Sequence, residues 1–240
     1  MPQSNDSFYV GYAPKAGATA RRWMTGVTLL LLALTGGLAL SLAYRQKPFA
    51  DARFEFGIQT EFAGRITMEP YPALIGPQGS WWLVAPGKFG FNAAAWAGEA
   101  VTLSGERVER GADAMIQVLP GSVRRSGVEL PEAKWERLGS VSLMGEVVDS
   151  KCFLGVMNPG EGEVHRGCAV RCISGGVPPG LRVKDRDGTV RIVLLAGPGG
   201  EPMRARGLAL AGEAVRAAGV LYRSGNLRII HAGEIARVKD

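Results

Sequence analysis

The sequence is poor in the residues on which most enzymes and metal proteins depend. Three cysteines and two histidines occur among 240 residues. Neither the Gly-x-Ser-x-Gly elbow of hydrolases nor a zincin helix is present, and no carboxylates are paired in a catalytic pattern. The glycine-rich run at 197–200 lacks the Lys-Ser/Thr pair of a phosphate loop. These absences favour a protein that is not an enzyme.

Basic residues are also less concentrated than a nucleic-acid partner requires. Lysine and arginine number 28 against 22 acidic residues, which gives a net charge of +6, but no run of five or more cations occurs. A nucleic-acid arm normally shows such a run. We therefore predict no nucleic-acid partner.

One long segment, residues 23–44, contains no charged side chain. About 20 apolar residues cross a bilayer core of about 30 Å. A cleaved signal peptide is the alternative, and small residues at alternate positions (Ala39, Ser41 and Ala43) are compatible with cleavage. However, signal peptides carry a shorter apolar stretch of roughly 7–15 residues near the N-terminus. We therefore predict an uncleaved signal anchor at 23–44, preceded by a flexible tail at 1–22.

The charges that flank this segment indicate its orientation. Lys15, Arg21 and Arg22 precede it, whereas Arg45 and Lys47 follow it. This slight bias favours a cytoplasmic N-terminus. We predict a single-pass protein of the inner (plasma) membrane, with the rest of the chain in the periplasm.

The exported part contains an internal repeat. The sequence Ala-Gly-Glu-Ala-Val occurs at 97–101 and again at 211–215, and the same offset of 114 superimposes Gly105 on Gly219 and Gly111 on Gly225. Upstream, the segment 83–85 aligns with 194–196 at an offset of 111. Matches at a constant spacing are typical of two copies of one structural unit.

Short apolar segments separated by turn residues predict that each copy is mainly β. About five strands with one helical insertion resemble the OB fold, a partly open barrel. An SH3-like barrel and a small β-sandwich are the alternatives. We predict two tandem OB-like barrels, at 54–128 and 139–240. The predicted strands are 61–68, 81–85, 100–108 and 114–118 in the first copy, and 141–149, 181–184, 190–196, 214–222 and 227–231 in the second.

The second copy carries about 30 additional residues, because Gly64 and Gly145 occupy equivalent places but lie at different distances from the aligned segments 83–85 and 194–196. This insertion contains all three cysteines and one of the histidines. A short helix at 164–174 is predicted within it, with acidic residues before it and Gly175-Gly176 and two prolines after it.

His165, Cys168 and Cys172 lie on one stripe of that helix, and Cys152 ends the preceding strand. If they converge, these four residues form a Cys₃His metal site for zinc, copper or iron. Asp149 is placed to accept a hydrogen bond from the histidine. The alternative in an oxidising compartment is a disulfide from Cys152 to Cys168 or Cys172, with one thiol left over.

The motif Asp149-Ser-Lys-Cys152, His165-x₂-Cys168-x₃-Cys172 and Gly175-Gly-x-Pro-Pro179 resembles a domain of exported, membrane-anchored bacterial proteins that are mostly uncharacterised. The resemblance covers residues 140–238. It implies an OB-like exported domain and implies no activity.

These patterns predict a non-enzymatic, membrane-anchored module that binds a metal or a protein partner in an envelope or redox assembly. A thiol/disulfide-active protein is the alternative, although the Cys-x-x-Cys motif that commonly lowers a thiol pKa is absent. A haem- or metal-chaperone is a third hypothesis. A known haem-handling class also joins one span to an OB barrel, but His231 is not followed by the tyrosine of that class.

Overall fold

The computed structural model describes residues 16–46, 51–127, 130, 134–185 and 187–238. The chain forms two compact units that divide after Pro48. In the first unit, helix α1 spans Ala18–Arg45, and its most apolar window has a mean hydropathy of 2.0. It is long and apolar enough to cross a membrane. Helix α1 begins at Ala18, within the predicted tail at 1–22, and residues 1–15 of that tail lie outside the described residues.

The second unit begins with a closed five-stranded barrel. The seven strands of its sheet are β1 (Ala52–Phe54), β2 (Thr60–Thr67), β3 (Ala73–Gly76), β4 (Gly79–Val84), β5 (Ala100–Arg110), β6 (Asp113–Val118) and β7 (Arg124–Arg125). Five of them close the barrel in the order β2-β3-β4-β6-β5, and the short strands β1 and β7 each pair with β5.

A second closed barrel follows. Its strands are β8 (Glu136–Asp149), β9 (Pro179–Lys184), β10 (Val190–Ala196), β11 (Ala214–Ser224) and β12 (Leu227–Arg237). They close in the order β8-β9-β10-β12-β11. Both barrels contain one parallel pair, β4 with β6 and β10 with β12, and the other neighbours within each barrel are antiparallel. The predicted fold class, two OB-like β-barrels after an apolar helix, is confirmed.

Strand registers also confirm the internal repeat. Gly64 is opposite Val101 in the first barrel, and Gly145 is opposite Val215 in the second. The two valines are related by the offset of 114, so the two glycines are equivalent, as predicted. The predicted alignment of the third strand is wrong by one residue. Leu83 pairs with Ile116 and Leu195 pairs with Ile230, and the two isoleucines are related by the offset of 114. Leu83 is therefore equivalent to Leu195 and not to residue 194.

The insertion lies between the first two strands of the second barrel. Residues 68–72 connect β2 to β3, whereas residues 150–178 connect β8 to β9. The insertion contains a π-helical turn, Cys152–Val156, and helix α2, Glu163–Ser174, which confirms the predicted short helix. The sequence prediction missed β1, β3 and β7 because they are short, and it missed helix α3 (Arg204–Leu210).

The two barrels share a hydrophobic core. Trp81 packs inside the first barrel, whereas its neighbour Trp82 points to the opposite face and stacks on Trp135 at a centroid distance of 5.8 Å. Tyr71 crosses the boundary, because its hydroxyl donates to the carbonyl oxygen of Leu195 (2.6 Å) and accepts from the amide of Met203 (3.0 Å). The cysteine insertion contributes Cys152, Phe153, Leu154 and Cys172 to the same core.

Candidate metal centre

Cys152 begins the π-helical turn that follows strand β8. Asp149, the last residue of β8, is completely buried, and its Oδ1 accepts a hydrogen bond from the backbone N–H of Cys152 (2.8 Å). Its Oδ2 lies 2.9 Å from Nε2 of His165. This contact joins the carboxylate of Asp149 to the imidazole of His165. Asp149 therefore fixes both the turn that carries Cys152 and the ring of His165.

Helix α2 brings the other two cysteines to the same point. The Sγ atom of Cys152 lies 3.9 Å from that of Cys168 and 3.9 Å from that of Cys172, and all three sulfurs lie within 4.8 Å of one another. Cys152 and Cys172 are buried, whereas Cys168 is partly exposed. The three sulfurs form a compact cluster with one accessible side.

A lysine from the first barrel completes that cluster. Lys88 lies in the loop after β4, and its Nζ is 2.7 Å from Sγ of Cys168 and 3.9 Å from Sγ of Cys172. The hydrogen bond to Cys168 and the electrostatic effect of the three neighbouring sulfurs raise the pKa of Lys88 above its ordinary value, against the smaller effect of desolvation. Lys88 is therefore an ammonium that faces the sulfurs, and sequence reasoning did not find it.

A second lysine holds the loop that carries the first. Lys151, next to Cys152 in the chain, is only 1% exposed. Its Nζ donates to the carbonyl oxygens of Ala85 and Gly87 (both 2.8 Å) and to the side chain of Gln117. Burial lowers the pKa of Lys151, while Cys152, Cys172 and two nearby carboxylates oppose that shift. The cysteine insertion is thus hydrogen-bonded to the loop of the first barrel on the N-terminal side of Lys88.

Close backbone contact fixes the other side of the loop. The amide of Gly90 donates to the carbonyl oxygen of Gly175 at the end of α2 (3.0 Å). A Cβ atom at Gly175 would lie 1.9 Å from the carbonyl oxygen of Lys88, and one at Gly90 would lie 2.2 Å from that of Gly176. The two glycines after α2, predicted from the sequence only as a helix stop, also allow this close approach.

The thiols of Cys152 and Cys172 have different proton affinities. The thiol of Cys152 hydrogen-bonds to Cys172 and is desolvated, and both effects raise the pKa of Cys152. The same hydrogen bond lowers the pKa of Cys172, against the opposing effect of its burial, and Lys88 and Cys168 assist. The pair therefore favours a Cys172 thiolate that accepts a hydrogen bond from the Cys152 thiol.

The structure brings together three of the four predicted ligands in one cluster. His165 belongs to a second group, in which its ring, Asp149 and Cys152 offer ligand atoms within 4.8 Å of one another. Cys152 is common to both groups. All three cysteines are free thiols in the structure, and the predicted pairing of Cys152 with Cys168 or Cys172 stays a prediction.

Comparison of the chain with protein-family models, curated proteins and solved structures gives no match. Function must therefore be argued from the site itself.

Proposed function

We propose that this protein is a membrane-anchored, non-enzymatic module that holds a thiophilic metal ion at Cys152, Cys168 and Cys172. The observation that carries the proposal is the spacing of the sulfurs. An ion bonded to thiolates at about 2.3 Å holds two sulfurs about 3.8 Å apart in tetrahedral geometry and about 4.0 Å apart in trigonal geometry. Both sulfur–sulfur distances from Cys152 are 3.9 Å.

The surroundings of the cluster support binding in preference to catalysis. Two of the three sulfurs are buried in the core shared by the barrels, so a small ion reaches them through the side of Cys168 more readily than a bulky substrate does. Deprotonated thiolates bind soft metal ions well, and the nearby Lys88 ammonium stabilises the negative charge that they carry.

We place the metal-binding unit in the periplasm, on the outer face of the inner membrane. Helix α1 supplies 28 residues, which span about 42 Å at 1.5 Å per residue. The charge bias around α1 and the position of the folded unit after a single early span support export of that unit. Fusions at the C-terminus test this: alkaline phosphatase should be active there and green fluorescent protein should be dark. The reverse pattern would place the barrels in the cytoplasm.

Metal analysis of the full chain tests the binding function. The protein is purified in detergent under reducing conditions, stripped of metal, and offered Zn(II) or Cu(I). We expect each wild-type chain to retain one ion, either Zn(II) or Cu(I). Cys172→Ser should lose it. His165→Asn should retain it, because His165 does not belong to the group of ligand atoms that contains all three sulfurs. A wild-type protein that takes up neither metal would refute the proposal.

Thiol–disulfide exchange is a second candidate function, favoured by the contact between Lys88 and the accessible Cys168. The Cys168 thiolate would attack a disulfide of a protein partner and release one partner thiolate. The Cys152 thiol, whose Sγ lies 3.9 Å from that of Cys168, would then lose its proton to the released partner thiolate, attack Cys168 and release the second partner thiolate, so two electrons pass to the partner while Cys152 and Cys168 become a disulfide. Intact mass after incubation with oxidised glutathione tests this, since a loss of two hydrogens with no adduct is expected, and an unchanged mass would exclude it.

A further inference from the structure

The side of the sulfur cluster that faces the first barrel is occupied by a cation. Lys88 Nζ lies within 3.9 Å of two of the three sulfurs, and it approaches Cys168 to 2.7 Å. An ammonium has three N–H donors and no lone pair, so it can donate hydrogen bonds to thiolates but cannot ligate a metal ion. The position nearest to these two sulfurs is therefore filled by a group that is not a ligand.

The residue predicted from the sequence as fourth ligand does not join all three sulfurs in one group. His165 is buried and its Nε2 bonds to Asp149, and its ligand atoms group with only one of the three sulfurs, that of Cys152. Among the described residues, the group of ligand atoms that contains all three sulfurs contains no fourth member.

Lys88 is held in place by the fold. Lys151 bonds to the carbonyl oxygens of Ala85 and Gly87 on one side of it, and the Gly90 amide bonds to Gly175 on the other. Inside the loop, the Ala85 amide donates to the carbonyl oxygen of Phe89. These bonds lie on both sides of Lys88, so its ammonium is directed at the cluster although much of its side chain is solvent-exposed.

We propose that Lys88 makes the centre a three-thiolate site for a soft, low-coordinate ion of the copper(I) class, and that it disfavours zinc. This inference rests on the metal-binding function proposed above and names the class of ion. Zinc in structural sites is almost always four-coordinate, whereas thiolates alone suit Cu(I). A fourth ligand from the protein or from water must displace the Lys88 ammonium from this side, and the centre would then lose the N–H···S hydrogen bond from Lys88 to Cys168.

Replacement of Lys88 by a ligand tests the proposal. The full chain, reduced and metal-free in detergent, is titrated with Zn(II) and separately with Cu(I) against chromophoric chelators. Lys88→His supplies an imidazole where the ammonium stood, so we expect zinc affinity to rise by about tenfold or more. Lys88→Leu removes the ammonium without supplying a ligand, opens the fourth position to water, and should raise zinc affinity by about threefold, less than Lys88→His does. Lys184→His, at an exposed site at the end of β9, is the matched control and should leave zinc affinity at the wild-type value.

X-ray absorption of the copper-loaded wild type gives an independent readout, with three sulfur ligands and no nitrogen expected. Uptake of neither ion by the wild type would remove the metal-binding function and this inference together. Equal zinc affinity in the wild type and Lys88→His, or a nitrogen ligand on copper in the wild type, would overturn the role of Lys88 and leave metal binding intact.

Discussion

Asp149 is the residue on which the local geometry of the site depends most directly. It is completely buried, and its two oxygens are divided between the backbone of Cys152 and the ring of His165. A buried carboxylate is tolerated only when it is paired or hydrogen-bonded in this way. Loss of the carboxylate would leave an amide and an imidazole without their acceptor.

We predict that Asp149→Ala lowers the free energy of unfolding of the full chain by about 3 kcal/mol or more, because it breaks a buried, hydrogen-bonded pair. Chemical unfolding in detergent, followed by tryptophan fluorescence, measures the change. Asp51→Ala removes the same group from an exposed position and should change stability by less than about 0.5 kcal/mol. Equal effects of the two variants would show that the buried contacts of Asp149 contribute little.

At the scale of elements, the site is made where the end of α2 meets the loop after β4. The contact is between backbones, since Gly175 adjoins the carbonyl oxygen of Lys88 and the Gly90 amide bonds to Gly175. Gly175 has φ −73°, an ordinary helical value, so only space and not backbone strain restricts this position.

We predict that Gly175→Ala lowers the free energy of unfolding by about 1–3 kcal/mol, because its methyl group must displace the loop. Gly167→Ala on the exposed side of the same helix is the matched control. A Cβ at Gly167 meets nothing within 4 Å, and alanine is the better helix former, so this variant should gain up to about 1 kcal/mol. Thermal unfolding of both variants measures these changes in stability. A Gly175→Ala variant that is more stable than the wild type would contradict the close packing described here.

The elements show where prediction from the sequence succeeds. Helix α2 and most of the longer strands follow from apolar periodicity and from local stop signals such as Gly175-Gly176 and the two prolines. Strand β3 is missed because it is only four residues long and adjoins β4 through a tight turn. The cysteines are found because they are rare and grouped. Lys88 is not found, because a lysine in a loop gives no local signal of the packing between that loop and helix α2 that brings it to Cys168.

At the scale of the whole molecule, the two barrels are joined through a hydrogen-bonded tyrosine. Tyr71 belongs to the first barrel, but its hydroxyl bonds to Leu195 and Met203 of the second. Burial raises the pKa of Tyr71 to about 12 from its ordinary value of 10.0. The folded protein thus holds the phenolic proton more tightly than the unfolded chain does.

A raised folded-state pKa sets the sign of a pH dependence. The contribution of Tyr71 to stability is complete below pH 10, declines as the unfolded chain alone begins to ionise, and is lost above about pH 12, with a total of about 3 kcal/mol. We predict that Tyr71→Phe unfolds with a shallower loss of stability between pH 10 and 12 than the wild type does. Tyr222→Phe retains Tyr71 and should keep the wild-type slope, and parallel profiles for all three proteins would refute the linkage.

The hydrogen bonds of Lys151 make the cysteine insertion dependent on the first barrel. The cysteine insertion looks like a cassette added to one of two duplicated barrels, but the acceptors of its buried ammonium are Ala85, Gly87 and Gln117 of the other barrel. Transplanted onto a foreign barrel, the insertion would bring an ammonium without acceptors and thiolates without their counter-ion. The two copies therefore depend on each other, because the second carries the cysteines and the first supplies the groups that contact them and the adjoining lysine.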